Sequence, residues 1–312
     1  MPIRRRAVIA GLAGATSGLV ALTSAARADG IDLGPEQPGR LHAPRNQAAI
    51  ALIPKGFTLA KPGSLTVGNS PTVPPLSTFA TDAKTVIGNE PDIILLLGES
   101  LGLKPEIVPT AWADWPLGLQ SGRFDAVISN VTVTEERKEK FDFSTYRQDQ
   151  LGFYVARDSA ITSIKEPKDV AGLRIIVSSG TNQEKVLLEW DRQNVAAGLK
   201  PVEFQYYQDE ALKKLAIASG RADATLGPNA SAAYSAAVDG LTKLAGIVNG
   251  GWPLTAEIAV TTRKASGIAD AITAAINGLI ASGIYARQLA RWNLQAEAID
   301  VSRTNPPGLP RT

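Results

Sequence analysis

Short apolar runs alternate with amphipathic stretches along most of the chain, which is the pattern of an α/β protein. Buried runs of five to seven residues predict strands, and apolar residues recurring every three or four positions predict helices. The predicted strands are SLTVG (64–68), EIVPT (106–110), DAVIS (125–129), LGFYVA (151–156), LRIIVSS (173–179), EFQYY (203–207), ADATLG (222–227) and EIAVTTR (257–263). The predicted helices are 46–53, 92–101, 115–121, 179–194, 210–219, 269–282 and 285–292.

One pattern occurs twice. LQSGRFDAVIS (119–129) and AIASGRADATLG (216–227) both read as a helix, then SGR, one residue, DA and a buried strand. The two copies lie about 100 residues apart, as the same structural step in two similar lobes would. At 312 residues the chain is long enough for two domains of usual size. The sequence therefore predicts two α/β lobes.

The N-terminus has the form of a secretory signal peptide. Arg4, Arg5 and Arg6 precede an apolar run, and Ala26-Arg27-Ala28 offers an A-x-A cleavage site. We assign residues 1–28 to the signal, which predicts a periplasmic protein; general secretory and twin-arginine export both remain open. Residues 29–60 are rich in Pro, Gly and Ala and are predicted to form an extended arm.

Charge and composition exclude several function classes. The precursor has 32 basic and 30 acidic residues, and loss of the four signal arginines leaves 28 basic residues and a net charge of −2. Such a balance argues against a nucleic-acid or anionic-membrane partner. There is no Cys, so thiol chemistry and thiolate metal ligation are absent, and we expect no metal and no cofactor.

Polar side chains gather after the predicted strand DAVIS. Ser129 is its last residue, Asn130 and Thr132 come next, and Arg137 closes the segment. Open α/β sheets bind ligands outside the carboxyl ends of their strands. Arginine presents a planar fork that matches a carboxylate. The segment predicts a pocket for a small anion; the alternative is a surface arginine that pairs with a neighbouring acid in EERKEK.

DAVISNVTVTEER (125–137) resembles the DAVISGMTITPER signature of the bacterial solute-binding proteins of family 3, the extracytoplasmic receptors of polar amino-acid ABC importers. The likeness extends from about Ser64 to about Asn293. Its blocks keep the order and spacing of the family: 64–79, 101–129, 141–146, 151–159, 169–184 and 219–227.

The resemblance implies an α/β, two-lobed periplasmic-binding-protein-like fold (type II) with a ligand cleft between the lobes and two hinge strands. The crossings would be 151–158 and 255–262. Lobe 1 would comprise 29–154 and 256–312, and lobe 2 would comprise 155–255. Hinge motion would close the cleft over the ligand.

The resemblance also implies the contacts of the ligand with lobe 1. Arg137 would fork its α-carboxylate, and Thr132 and Ser129 would each offer a hydroxyl and a backbone group. Asn130 replaces a small residue of the family, and Trp112 would lie against the ligand. Core packing is the alternative for Trp112, and ordinary strand-end hydrogen bonding is the alternative for the hydroxyls.

Lobe 2 would meet the same carboxylate at a strand-to-helix turn made of Gly180, Thr181 and Asn182. Free amides and the helix dipole favour an anion at a helix N-terminus. Capping of the helix by Thr181 or Asn182 is the alternative, and it is compatible with binding.

The chain departs from the family where the ligand's ammonium would bind. Pro228 stands in place of the usual lobe-2 Asp and Asn229 follows it, whereas Ser70 and Val73 replace an acid and an aromatic residue after the first strand. A buried ammonium without a partner is costly. The sequence-based hypothesis is therefore a small carboxylate whose second end is neutral, acylated or alkylated.

Other ligands and other sources of negative charge stay open. A betaine could place its cation over Trp112. Ser70 and Asn229 remain candidate ligand contacts; Asn229 could accept a hydrogen bond, and Asp114 or Glu90 could supply charge from another direction.

The predicted function is a monomeric receptor that delivers its ligand to the transmembrane permease subunits of an ABC importer. An enzyme is disfavoured, because the only His, His42, lies in the arm and no HExxH or GxSxG motif occurs. No catalytic residue is assigned. The alternatives are a dehydratase of the same fold, similar to cyclohexadienyl dehydratase, for which no cleft acid is evident, and the ligand-sensing module of a signalling receptor.

Overall fold

The computed structural model describes residues 30–207 and 209–311, so the predicted signal peptide lies outside the described residues. One nine-stranded mixed sheet carries helices on its faces, and a two-stranded ribbon lies beside it. The strands are β1 Ser64–Asn69, β2 Thr78–Phe79, β3 Val86–Ile87, β4 Lys104–Pro109, β5 Ala126–Val127, β6 Phe141–Ala156, β7 Arg174–Ile176, β8 Glu203–Gln205, β9 Ala224–Pro228, β10 Thr242–Asn249 and β11 Ala256–Arg263.

The α-helices are α1 Gln47–Ala51, α2 Asn89–Ser100, α3 Trp115–Gln120, α4 Glu135–Lys138, α5 Asn182–Ala196, α6 Glu210–Ala218, α7 Asn229–Asp239, α8 Ile268–Ala281 and α9 Ile284–Arg291. Each strand and helix predicted from periodicity corresponds to one of these elements. Among the elements that the pattern missed are β2, β3, α7, β10 and the first half of β6. The sequences of α7 and of β6 before Leu151 are rich in small or polar residues, so they carry little apolar periodicity.

Strand β6 runs through both halves of the molecule. Its residues from Phe141 to Asp149 pair with β11, and those from Gln150 onward pair with β10 and β9. The sheet order β4-β1-β5-β11-β6-β9-β7-β8 therefore has a parallel group at each end and antiparallel connections in the middle. The pairing partner changes between Asp149 and Gln150. The lobe boundaries at 154/155 and 255/256 remain predictions.

Each half of the sheet has its own hydrophobic core. On one side β1, α2 and α8 bury a cluster that includes Leu65, Ile94 and Ile272. On the other side Trp190 of α5 is completely buried and stacks on Phe153, with ring centroids 5.4 Å apart. Separate cores on one shared strand allow the two halves to move about that strand with little repacking.

The predicted arm packs on the first half. Asn46 caps α1 through its side chain, which accepts the Ala49 N–H at 3.1 Å, and the Asn46 N–H donates to the Ser100 carbonyl at 2.8 Å. The C-terminal segment also packs there: the Thr145 N–H donates to the Arg303 carbonyl at 3.1 Å, and the Leu309 N–H donates to the Val133 carbonyl at 3.0 Å. The arm and the C-terminal segment thus both pack on the half that carries β1 and β5.

Candidate functional site

The site begins where the parallel strands β1 and β5 end side by side. Ser70 follows β1 and Ser129 follows β5 after one residue. The Ser70 N–H donates to the Ser129 Oγ at 3.0 Å, so the fold brings these two predicted residues together. The Ser70 Oγ is buried and has no hydrogen-bond partner among the described residues. Polar groups therefore line the sheet edge at which α/β proteins bind ligands.

Asn130 adopts a left-handed backbone conformation, with φ of 52°. Asparagine tolerates this region better than most residues because its short side chain bonds locally. Its N–H donates to Glu90 Oε1 at 2.6 Å, and its side chain lies between Arg147 and Asp149. Asn130 therefore connects the predicted site to a group of buried charges.

Arg137 connects the two halves of the molecule. One guanidinium nitrogen donates to the Thr132 carbonyl at 3.0 Å and the other to the Gly180 carbonyl at 3.2 Å. The guanidinium carbon lies 5.7 Å from the centroid of the Trp112 ring. The side chain is surrounded by protein on most sides but keeps contact with solvent, as a cleft residue does.

The electrostatics of Arg137 favour an anion. Burial lowers the pKa of Arg137 to about 10, and the nearby Glu136 carboxylate opposes this shift. The guanidinium is therefore still charged at neutral pH. In the part of the chain that the structure describes, its hydrogen bonds go to backbone carbonyls and to no carboxylate. Since an arginine fork has five N–H donors, some remain for a ligand carboxylate.

Trp112 is half-buried at the start of a 3-10 turn (Trp112–Asp114) and packs at a tilt against Trp115, with ring centroids 6.1 Å apart. The guanidinium of Arg137 lies over its ring. A betaine cation on the same ring would meet the charge of Arg137 at short range, which counts against that alternative. Direct contact of Trp112 with the ligand remains a prediction.

The lobe-2 turn is organised by capping. Thr181 is the N-cap of α5: its Oγ1 accepts the Glu184 N–H at 3.3 Å and donates to the Ser178 carbonyl at 2.6 Å. The Gly180 N–H donates to Glu184 Oε2 at 2.6 Å. The carboxylate of Glu184 thus binds one of the amides predicted to meet the ligand.

Asn182 and Asn229 both have protein partners in this conformation. The Asn182 amide donates to the Gly250 carbonyl, which follows β10. The Asn229 Oδ1 accepts the Tyr154 hydroxyl at 3.1 Å. Pro228 ends β9, and Asp114 is exposed on its turn. Ligand contacts of Thr181, Gly180, Asn182 and Asn229 remain predictions.

Sequence reasoning named Glu90 as a possible source of charge but missed the cluster of buried charges to which it belongs, next to Asn130. It comprises Glu90, Arg147, Asp149 and Glu297, each at most 4% exposed. Glu90 accepts the Tyr146 hydroxyl at 2.9 Å, and Arg147 donates to Glu297 and to the Asn130 Oδ1. Three acids surround one base. The available signal was the two-residue spacing of Arg147 and Asp149, which puts both on one face of a strand.

Asp149 is the least satisfied member of the cluster. Its Oδ1 lies 3.4 Å from the Asn130 amide nitrogen, and its Oδ2 has no hydrogen-bond partner among the described residues. Burial raises the pKa of Asp149 to about 6, although Arg147 opposes the shift. Burial also raises the pKa of Glu90. The fold therefore holds negative charge here at a cost.

The raised pKa of Asp149 predicts that the free energy of unfolding depends on pH. The folded-state pKa of Asp149 lies above its unfolded value of about 3.9, so the folded protein binds the proton more tightly and gains stability as the pH falls through 6. Between pH 7 and pH 5 the expected gain from this group is about 1.4 kcal/mol of unfolding free energy. Urea unfolding of the ligand-free protein at both pH values measures it.

Asp149→Asn is the control for this prediction, because the variant lacks the titrating group and keeps Glu90. The wild type should gain about 1.4 kcal/mol more than the variant between the two pH values. An equal pH dependence in both proteins would show that Asp149 titrates normally.

Comparison with known proteins identifies the family. The model of the bacterial extracellular solute-binding proteins, family 3, matches residues 65–295. The chain belongs to this family. The sequence-based family assignment is confirmed.

Two curated relatives are binding proteins. The L-cystine-binding protein TcyJ of Escherichia coli is 37% identical over 165 residues, which are 53% of this chain and 58% of that protein. The match thus spans little more than half the length of that relative. The arginine-binding protein ArgT of Corynebacterium glutamicum is 28% identical over 260 residues, or 82% of each chain.

Solved structures give the same fold. An ancestral arginine-binding protein bound to arginine superimposes with a TM-score of 0.63 at 27% identity, covering 74% of this chain and 98% of that one. The predicted two-lobed α/β fold is therefore confirmed.

Proposed function

We propose that this protein is the extracytoplasmic substrate-binding receptor of an ABC importer, and that its ligand is an amino acid or a closely related carboxylate. The observation that carries the proposal is the charged guanidinium of Arg137, held between the Thr132 and Gly180 carbonyls without a carboxylate partner among the described residues. The names of the two curated relatives support an amino-acid ligand. Family membership and the predicted signal peptide support a periplasmic location.

The proposed cycle starts with ligand binding to lobe 1. The ligand carboxylate pairs with Arg137, while Thr132, Ser129 and Trp112 line the pocket. Lobe 2 then closes, bringing Gly180 and its neighbours to the same carboxylate.

Closure is favoured by contacts that exist only in the closed state. Three contacts link the halves in the structure, and we expect closure to form them: Arg137 to Gly180, Lys185 to Glu136, and the Ser231 hydroxyl to the Val73 carbonyl at 3.4 Å. The closed, liganded receptor would then dock on the permease subunits and release its ligand there.

A thermal-shift screen of the exported protein tests the proposal. The panel contains the common L-amino acids, L-cystine, N-acylated and N-alkylated amino acids, betaines and simple carboxylates. Binding to the folded state stabilises by about 2.7 kcal/mol at a ligand concentration of 100 Kd, so a true ligand should raise Tm in proportion to the logarithm of its concentration. No shift with any carboxylate would contradict the proposal.

A dehydratase of the same fold is the second candidate, and Asp149 is the observation that favours it. With a pKa of about 6 this carboxyl is partly protonated near neutral pH and could supply the cleft acid that the sequence did not reveal. The single His does not supply one: His42 bonds Glu99 at 2.6 Å on the exposed arm. Mass spectrometry of the ligand after incubation separates the candidates, since a receptor returns it unchanged.

A further inference from the structure

We propose that the Asp149 carboxylate binds the ammonium group of the ligand, so that the cleft selects zwitterionic α-amino acids. The inference rests on the proposed function, because it assigns the second charge of a ligand bound at Arg137. It is carried by the geometry around Asp149, which is 2% exposed and whose Oδ2 has no partner among the described residues.

Asp149 lies where the two halves of the molecule meet. It is the last residue of β6 before pairing passes from β11 to β10. Its side chain lies beside Asn130, which follows β5, and its carbonyl accepts the Gly250 N–H at 3.0 Å. The Gly250 carbonyl in turn accepts the Asn182 amide of α5. The carboxylate is therefore positioned among predicted ligand-binding residues of both lobes.

Gly250 makes room for this carboxylate. A Cβ on Gly250 would lie 2.6 Å from Asp149 Oδ2 and 2.6 Å from Asp149 Cβ. Carbon and oxygen atoms without a bond do not approach so closely, so any side chain at this position would displace the carboxylate. The glycine is thus required by the close approach of Asp149.

The buried cluster of Glu90, Arg147, Asp149 and Glu297 has one base for three carboxylates. Arg147 is the base of the cluster, and its described hydrogen bonds go to Glu297, Asn130 and the Gln148 carbonyl rather than to Asp149. Asp149 therefore has only the longer-range attraction of Arg147 beside its 3.4 Å contact with the Asn130 side-chain amide, whereas Glu90 also accepts hydrogen bonds from Asn130 and Tyr146. A buried carboxylate normally has a cationic or hydrogen-bonding partner. An ammonium donor from the ligand would supply it.

The unpaired cation and the unpaired anion flank one short segment. Thr132 contacts Arg137, and Asn130 contacts Asp149. Two residues of chain span at most about 7 Å, so one small ligand can reach both contact points. A zwitterion has complementary charges for this pair. Asp149 on the hinge strand would thereby replace the family Asp that Pro228 lacks, and this proposal supersedes the sequence-based hypothesis of a ligand with a neutral second end.

The test compares ligands with and without the ammonium. Calorimetry measures Kd for L-cystine, L-arginine and L-glutamine, and for dithiodipropionate, guanidinopentanoate and glutaramate, which lack their α-amino groups. Wild-type protein should prefer the amino acid it binds over its analogue. Asp149→Asn should reduce that preference by roughly 30-fold or more and leave Kd for the analogue within about threefold, since truncating one partner of a buried charge pair has effects of this size.

Two controls make the result specific. Asp158→Asn removes an exposed carboxylate just beyond β6 and should leave both Kd values unchanged. The Tm of ligand-free Asp149→Asn should not fall, because the variant removes an unpaired buried charge; this distinguishes lost binding from lost folding.

An unchanged preference in Asp149→Asn, or wild-type protein that binds analogue and amino acid equally well, would overturn the inference and leave the proposed receptor function intact. Wild-type protein that binds none of the three amino acids would overturn the inference, and carboxylate ligands found in the thermal-shift screen would then decide the receptor function separately.

Discussion

Arg137→Ala should weaken ligand binding by about 30-fold to several thousand-fold. The guanidinium is the charged group that bridges the Thr132 and Gly180 carbonyls, and under the proposed function it pairs with the ligand carboxylate. Truncating one partner of a desolvated charge pair costs about 2–5 kcal/mol, because the other charge stays buried without a partner. Calorimetric Kd values for the best ligand of the thermal-shift screen measure the loss.

The loss of affinity should come from the lost bidentate geometry of the guanidinium as well as from its lost charge. Arg137→Lys keeps the charge but cannot make two parallel hydrogen bonds, so its Kd should lie between those of wild type and Arg137→Ala. Arg192→Ala is the matched control, because Arg192 pairs with Glu189 on the surface of α5 and is 70% exposed. Wild-type affinity in Arg137→Ala would remove Arg137 from the site.

Arg147→Met should lower the free energy of unfolding by about 3–5 kcal/mol. Arg147 is 1% exposed and is the base that compensates Glu90, Asp149 and Glu297. Methionine fills much of the same volume but leaves the three acids without a buried cation. Urea unfolding of the ligand-free protein at pH 7 measures the effect.

A second substitution shows whether charge is the cause. Glu297→Gln in the Arg147→Met background removes one uncompensated carboxylate and should restore part of the lost stability, whereas lost packing would not be restored. Arg303→Met is the control: Arg303 also pairs with a carboxylate, that of Glu257, but it is 55% exposed, so the expected change is at most about 1 kcal/mol. A loss below about 1 kcal/mol in Arg147→Met would contradict the prediction.

The predictions for Arg137 and Arg147 differ because the two side chains have different surroundings. Arg137 donates to the Thr132 and Gly180 carbonyls and keeps contact with solvent, whereas Arg147 is 1% exposed and donates to Glu297 and Asn130. Two arginines ten residues apart thus have different consequences: loss of the first should affect binding, and loss of the second should affect folding.

The local sequence was sufficient for most of the strands and helices. Strands such as LRIIVSS and helices such as 269–282 carry their own periodicity, which depends only on which face of a strand or helix is buried. Ser70 and Ser129 were each named from the sequence as candidate ligand contacts, and the structure brings them together because the parallel strands β1 and β5 end at a common edge. The family was recognisable from 125–137 because its signature is a run of consecutive residues.

Only the tertiary structure decided how the charges are paired. Arg147 meets Glu297, 150 residues away, and Glu90 meets Asn130 across 40 residues. Spacing alone would put Arg147 and Asp149 on one face of a strand, but the polar composition of RQDQ (147–150) does not show that this strand is buried. Burial there comes from β11, β10 and the C-terminal segment packing around it. The sequence marked Arg137 and its neighbours as the candidate site for an anion. The packing of distant segments decided that Asp149 is buried beside that site, because only packing removes water from a charge and thereby makes its missing partner matter.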